Sequence, residues 1–392
     1  MNKRNRLIMG LIAVLVISSL VVGCGGGTPT TPTKPTTPTT PTTPTTPTTP
    51  TAPTAPPKPK SIKWGTFSLG SSMYVVNAAQ AVKAQEATGI PWRVLPRTFS
   101  ARVKDLKTGV LDAGASVESG TYAVMAALLE WNAPEWGPQD FRQVWGGGRQ
   151  TQVMAVHADS DIGEGKTDPT EIGKDFIGRT VLWTESQGSA KFLIDQSVMA
   201  YFGFPNFVAK SPEFTYHPSA FGRSTNDFIA GTFEVFIFGP ASPDAFRAAA
   251  GPRGVKWIDI DPQFTAAWQE IKRISPFAYP AKIEDGGGIP PGGKWAFAYN
   301  SSFICYADQD PAMTYWITRG LYETQDEWKD ALPDTPFFTA EYALDYEKWY
   351  FPFHEGSVQY FKEIGVWTAE MEAKQQERLD YMEDVLKWTY TG

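Results

Sequence analysis

Beyond residue 61 a short apolar run, a turn of small polar residues and a helix-sized stretch follow one another again and again. The first unit is a strand over 62–67, a turn over 68–72 and a helix over 73–87. The second is a strand over 92–95, a turn over 96–100 and an amphipathic segment over 102–108 that stops at Gly109. A third strand over 111–116 leads through another small-residue turn into a helix over 122–131. Strands alternating with helices at this spacing predict βαβ units and parallel sheet. The order recurs at 179–183, 184–189 and 190–201, and again at 233–238, 239–242 and 243–250. Between these units 150–157 and 295–306 read as longer strands, which a chain needs when it leaves one α/β lobe and later returns to it. A charged helical pattern over 370–388 closes the chain and is expected to pack across the first lobe.

Upstream of this body nothing can build a core. Residues 25–60 are glycine followed by repeated Thr-Thr-Pro, too poor in apolar groups to offset the entropy of ordering, and read as a stiff solvated tether. At about 3.1 Å per residue it would reach roughly 110 Å when extended. Before the tether come Lys3, Arg4 and Arg6, an apolar run over 7–22, Gly23 and Cys24. Basic start, short hydrophobic stretch and small residue describe an export signal that is removed, not a permanent membrane helix. Leu20-Val21-Val22-Gly23-Cys24 resembles the bacterial lipobox. That resemblance implies a signal peptide over 1–23, lipidation of Cys24, and a mature protein held on a membrane by its lipid and working outside the cytoplasm.

Of the two cysteines Cys305 is then left without a partner, so the fold has to be held by its core instead of an intramolecular disulfide. Apolar area is ample, since all 14 Trp and 24 Phe lie beyond residue 60. All 42 acidic residues but only 29 of the 35 basic ones lie there too, a formal charge of −13 that makes nucleic acid an unfavourable partner. His157, His217 and His354 are far apart and form no two-histidine metal spacing. Cys305 sits in an apolar strand, and no carboxylate pair is singled out by spacing. An enzyme, a metal site and a cofactor are therefore not expected.

In open α/β sheets ligands bind beyond the carboxyl ends of the strands, where helix N-termini present free N–H groups to anions. The turns at 68–72, 98–101 and 186–189 fit that description, and their hydroxyls are either helix caps or ligand contacts. Arg97 and Arg149 are the charged candidates for a carboxylate, because the guanidinium fork matches its two oxygens; a solvated arginine or a structural ion pair is the other reading of each. Phe67, Trp64 and Trp183 are either core or stacking platforms.

The segment Val94-Leu95-Pro96-Arg97-Thr98-Phe99-Ser100-Ala101-Arg102-Val103, continued by Leu106-Lys107-Thr108-Gly109 and Leu111-Asp112-Ala113, resembles the opening region of TAXI-family solute receptors of TRAP transporters. Residues 172–181 with Gln187-Gly188-Ser189-Ala190, the block 228–235, the Pro-Gly turn at 289–293, and Pro352-Phe353-His354-Glu355-Gly356 with 360–365 are similar to later blocks of that family. The resemblance spans 61–368. It implies a type II periplasmic-binding-protein fold, α/β, with two hinged lobes (61–157 with 299–392, and 158–298) that close on a small carboxylate and deliver it to TRAP membrane subunits. It also places ligand contacts at Thr66, Phe67, Ser71, Ser72 and Tyr74, at Arg97, Thr98 and Ser100, and at Ser116, Glu118 and Ser119. Arg149, the loop from Trp183 through Gln187, Gly188 and Ser189, and the strand end at Phe238 and Pro240 complete the set. The chain departs from the family in lacking a glycine-rich first turn and in reading Val117-Glu118-Ser119 after the third strand. A ligand-presenting surface sensor of the same fold and a secreted hydrolase are the competing readings.

Overall fold

The computed structural model describes residues 55–67, 72–183, 188–207, 212–219, 221–329 and 338–387. The export signal, Cys24 and the tether up to residue 54 lie outside the described residues.

The elements run β1 (Ile62–Thr66), α1 (Ser72–Thr88), β2 (Trp92–Pro96), α2 (Phe99–Lys107), β3 (Ala113–Val117), α3 (Glu118–Met125) and β4 (Phe141–Val156). Then come α4 (Pro169–Lys174), β5 (Thr180–Trp183), α5 (Gly188–Tyr201), β6 (Thr215–Pro218), α6 (Phe221–Ile229), β7 (Val235–Phe238), α7 (Pro243–Ala249) and β8 (Lys256–Ile258). The chain continues through α8 (Thr265–Ile274), β9 (Tyr279–Ile283), β10 (Lys294–Tyr306), α9 (Pro311–Trp328), α10 (Ala340–Ala343), α11 (Glu355–Glu363) and α12 (Ala369–Leu386).

Strand order is β2-β1-β3-β10-β4-β7-β5-β6, with β8 on β4 and β9 on β10. At one end β2, β1 and β3 are parallel, and at the other β7, β5 and β6 are parallel. Between them the two long strands β4 and β10 run antiparallel from Phe141 opposite Tyr306 to Gln152 opposite Phe297. The early half of β4 thus belongs with β3 and β10, and its last residues, Val153 to Val156, pair with β7. This is a two-lobed α/β arrangement, with β4 and β10 as the strands its lobes share.

Local chemistry explains the element boundaries. The parallel strand β1 is covered on both faces and reads apolar nearly throughout, with Trp64 packed on Trp92 at 5.2 Å and on Phe303 at 4.7 Å. Thr98 caps α2 and Ser242 caps α7, whose first residue is Pro243. At Gly109 the backbone turns at φ +69, which ends the α2 unit as expected.

Three expectations need correction. The turn expected after β3 is absent: α3 starts at Glu118 itself and ends at Met125, before residues with positive φ at Ala127 and Leu129. Strand β4 begins at Phe141 instead of 150, so Gly146-Gly147-Gly148 lies inside it and Arg149 sits mid-strand. Pairing slips there: Asn300 faces Arg149 but Ser301 faces Gly147, leaving Gly148 as the extra residue of a bulge. Its φ of +77 suits glycine, and a Cβ would come within 2.2 Å of the Phe338 ring. Lastly, residues 55–60, read as the end of the tether, lie on the body. Trp316 Nε1 donates to the Pro56 carbonyl at 2.9 Å, and Lys58 Nζ donates to the Thr88 carbonyl while sitting 5.0 Å over the Trp316 ring.

The lobes touch. Helix α3 packs against α5, and one apolar cluster runs from Val103, Leu106 and Val124 through Val181, Leu193 and Met199. Tyr122 of α3 meets Phe277 ahead of β9 at 5.6 Å and Tyr350 of the C-terminal segment at 5.7 Å. Gln375 of α12 bonds both backbone groups of Phe353, tying that helix to the same segment.

Candidate functional site

Where β4 and β10 cross between the lobes, polar side chains are buried together. Glu118 opens α3, and its carboxylate turns back to accept the Asn300 backbone N–H at 2.6 Å and Asn300 Nδ2 at 3.3 Å. The ladder between β3 and β10 ends just before this point, at Val117 opposite Ser301, so the side chain of the next residue takes the Asn300 donor. Asn300 Oδ1 accepts from the Tyr279 hydroxyl at 2.6 Å, and the Tyr342 hydroxyl, 3.0 Å from that oxygen and 2.6 Å from the Tyr279 hydroxyl oxygen, gives its single proton to one of the two. Lys348 Nζ lies 4.3 Å over the Tyr342 ring. Burial pushes the Glu118 carboxyl up to about 8, against the Asn300 bonds and the charge of Lys272. Burial raises both tyrosines, Tyr342 to about 12, while the Arg149 guanidinium beside them works the other way. Gln143 Nε2, Ser119 Oγ and Ser301 Oγ are buried without a hydrogen-bond partner among the described residues. The cavity lined by Glu118, Gln143, Asn300 and Tyr342 has about 10 Å³ of free space, room for roughly one water. A cavity of that size is too small for an organic acid.

A second polar feature lies at the carboxyl ends of β1 and β2. Arg102 is 2% exposed, and its Nη1 donates to the carbonyls of Thr66 and Arg97, both at 3.0 Å. Its charged head lies 4.3 Å from the Phe67 ring centre and 5.8 Å from that of Phe99. Nη2 has no partner among the described residues. Burial alone pulls the guanidinium down to about 9, with no carboxylate opposing it, so it stays charged at neutral pH. By contrast the buried cation of α5, Lys191, is paired with Asp195 one turn on. An unpaired buried charge costs several kcal/mol.

The residues expected at the site divide sharply. Glu118 and Ser119 are buried at the start of α3, and Arg149 is half-buried on β4 facing Tyr279 and Tyr342. Phe67 covers Arg102. The Thr66 hydroxyl points into its own lobe, donating to Asn77 Oδ1 at 2.7 Å, and Ser116 is paired with Thr121 at 2.6 Å. Arg97 is held in an ion pair: its Nε donates to Asp105 Oδ2 at 2.6 Å and Nη1 to the Pro96 carbonyl. Thr98 is the cap of α2, and Thr98 and Ser100 are exposed. The Phe238 ring is committed to the lobe core, stacked on Phe236 at 4.1 Å and 5.0 Å from Trp257. Pro240 is buried and accepts the Gly287 N–H. Tyr74 is half-buried on α1. Ser71 and Gln187 lie outside the described residues, as do the side chains at Ser72, Trp183, Gly188 and Ser189.

Sequence reasoning passed over Arg102, Asn300, Tyr279 and Tyr342. For Arg102 a signal existed: it shares the buried face of α2 with Val103 and Leu106, where a charge needs a reason to be. For the other three there was none, since they come from elements far apart in the chain.

Among the described residues no helix is long and apolar enough to cross a membrane, and no group of three or more His, Cys, Asp and Glu could hold a metal ion. The NMT1-like family matches residues 248–365, from the end of α7 through α11. No curated protein matches the chain. Among solved structures, one described as a periplasmic transporter covers 83% of this chain and 96% of its own, at 12% identity and a TM-score of 0.48. MatC of Rhodopseudomonas palustris with bound malate overlaps 83% of this chain and 99% of its own, at 11% identity and a TM-score of 0.46. A binding component of an ABC phosphonate transporter from Pseudomonas aeruginosa overlaps 83% and 97%, at 11% identity and a TM-score of 0.45. Overlaps of that size are likenesses of outline.

Proposed function

We propose that this chain is an extracytoplasmic solute receptor that captures a small organic anion, a carboxylate, dicarboxylate or amino acid, between its lobes. In this reading Cys24 carries the lipid anchor, the Thr-Pro tract holds the body clear of the membrane, and a TRAP-type transporter accepts the ligand-bound form. Lobe limits of 61–157 with 299–392, and 158–298, go with that reading. The observation that carries it is the polar cluster gathered on Asn300 of the crossing strand β10, with Glu118 buried and Tyr279 and Tyr342 half-buried beside it. A structural core has little use for so many polar atoms at a seam, whereas a binding seam needs them to orient a solute. Ligand bridging both lobes would favour the closed arrangement over an open one by its differential contacts.

Titration calorimetry of the full chain against a panel of small organic acids should give micromolar or tighter binding to at least one. Small-angle scattering should show compaction with that acid. A panel that yields neither heat nor compaction rejects the proposal. Co-expression with a candidate permease separates transport from ligand presentation, because only the former yields acid uptake.

A further inference from the structure

Arg102 is expensive to keep where it is. Its stem crosses the sheet over Gly65 of β1 and Gly114 of β3, and those two glycines leave the space it occupies. A Cβ at 114 would stand 3.2 Å from Arg102 Cδ, and one at 65 would stand 2.6 Å from Leu111 Cδ1 and 3.0 Å from Arg102 Cγ. Bare backbone on two strands thus lets the stem carry its guanidinium to the strand tips. On arrival only Nη1 is used, by the Thr66 and Arg97 carbonyls. The two N–H groups of Nη2 find no acceptor among the described residues, and no carboxylate balances the charge.

Geometry and chemistry narrow what would complete it. Aromatic rings near the head, Phe67 and Phe99, favour a cation but offer no hydrogen-bond acceptor in the guanidinium plane. That edge suits a planar oxyanion. Nearby, Gly120 of α3 lies against the Phe99 ring, which it could not do with a side chain, since a Cβ would stand 2.7 Å from the ring. The N-terminal turn of α3, with the buried unpartnered Ser119 hydroxyl, is therefore drawn up to the same cluster.

We infer that Arg102 is the anion anchor of the solute, its Nη2 edge gripping a carboxylate of the ligand. The inference rests on the receptor reading above and names the group that reads the acid's charge. It also replaces Arg97, whose Nε is taken by Asp105 and whose Nη1 is taken by the Pro96 carbonyl.

The test titrates the full chain with succinate, glutarate and L-glutamate, and with succinamide as a charge-free mimic. Wild-type protein should bind at least one acid and bind succinamide far more weakly. Arg102→Gln should weaken the acid by about 10- to 100-fold, the range for one charge-assisted bond. Arg102→Lys keeps the charge on a stem of similar length but loses the fork, and should weaken the acid about 10-fold with the melting temperature close to wild type. If wild-type protein binds an acid and Arg102→Lys binds it equally well, Arg102 is not the anchor and the receptor reading survives. Equal affinity for succinate and succinamide likewise removes Arg102 from that role. If wild-type protein binds no acid of this panel or the wider one, the receptor reading itself falls and takes the anchor with it. Should Arg102→Gln fail to fold, the lysine variant decides alone.

Discussion

Two arginines five residues apart show how far single residues could be read. Arg97 stands in the turn after β2, where a ligand contact is expected, and Arg102 stands one turn into α2. Position in the chain favoured the first. What sequence does not reveal is the partner: Asp105 lies two turns along from Arg97 and takes its Nε, while Arg102 faces two glycines and a pair of rings. Glu118 was legible as a residue at a strand end, but its burial was not, because that depends on β10 closing over it from residue 300. Its titration has a signed consequence. The folded carboxyl is raised from 4.5 to about 8, so folding holds the proton more tightly than the unfolded chain does. That contribution to stability is complete below about pH 4.5 and is lost as the pH rises through about 8. Denaturant unfolding at pH 5 and pH 9 should differ by roughly 2–4 kcal/mol on this account. Glu118→Gln, which keeps an acceptor for the Asn300 N–H, should flatten the difference. An unchanged slope in the variant would mean another group sets it.

At the scale of elements, βα alternation was plain in the first three units and again around β5 and β7, because apolar runs and small-residue turns mark them. Strand β4 was the instructive miss. Three consecutive glycines read as a break, yet the ladder to β10 runs straight through them, since partner pairing outweighs local propensity and the bulge absorbs the surplus residue. Strands β6, β8 and β9 were not read at all: they are three to five residues long and carry Pro or Lys among few apolar groups. The bulge makes a prediction. Gly148→Ala forces a side chain onto a backbone at φ +77 and into the Phe338 ring. Chemical denaturation should show a loss of about 2–4 kcal/mol. Phe338→Ala in the same chain should relieve part of it, leaving the double variant less damaged than the sum of the singles. Simple additivity would place the strain elsewhere.

For the whole molecule, two lobes joined by two long strands could be argued from sequence alone. How the lobes meet could not, because α3 and α5 are separated by the entire first crossing strand and carry no pattern that pairs them. The contact among Tyr122, Phe277 and Tyr350 draws its residues from three distant parts of the chain. If that contact helps hold the unliganded protein shut, Tyr122→Ala should shift the population toward open forms. Scattering of the ligand-free variant should then give a larger radius of gyration than wild type, and acid at saturating concentration should restore the wild-type value. Affinity should fall by an amount on the order of 0.5–1.5 kcal/mol, the worth of such aromatic pairs. An unchanged radius would show that closure rests on the α3 and α5 packing instead.

The glycines beneath Arg102 carry an implication for descent. A methyl group at 114 would press on the arginine stem at 3.2 Å, and a short residue at 102 would leave room for it, whereas one at 65 would also meet Leu111 Cδ1 at 2.6 Å. Kindred chains should therefore inherit 102 and 114 as a pair, arginine with glycine or a smaller residue with alanine, while glycine at 65 follows Leu111 as well. Mixed combinations ought to be scarce.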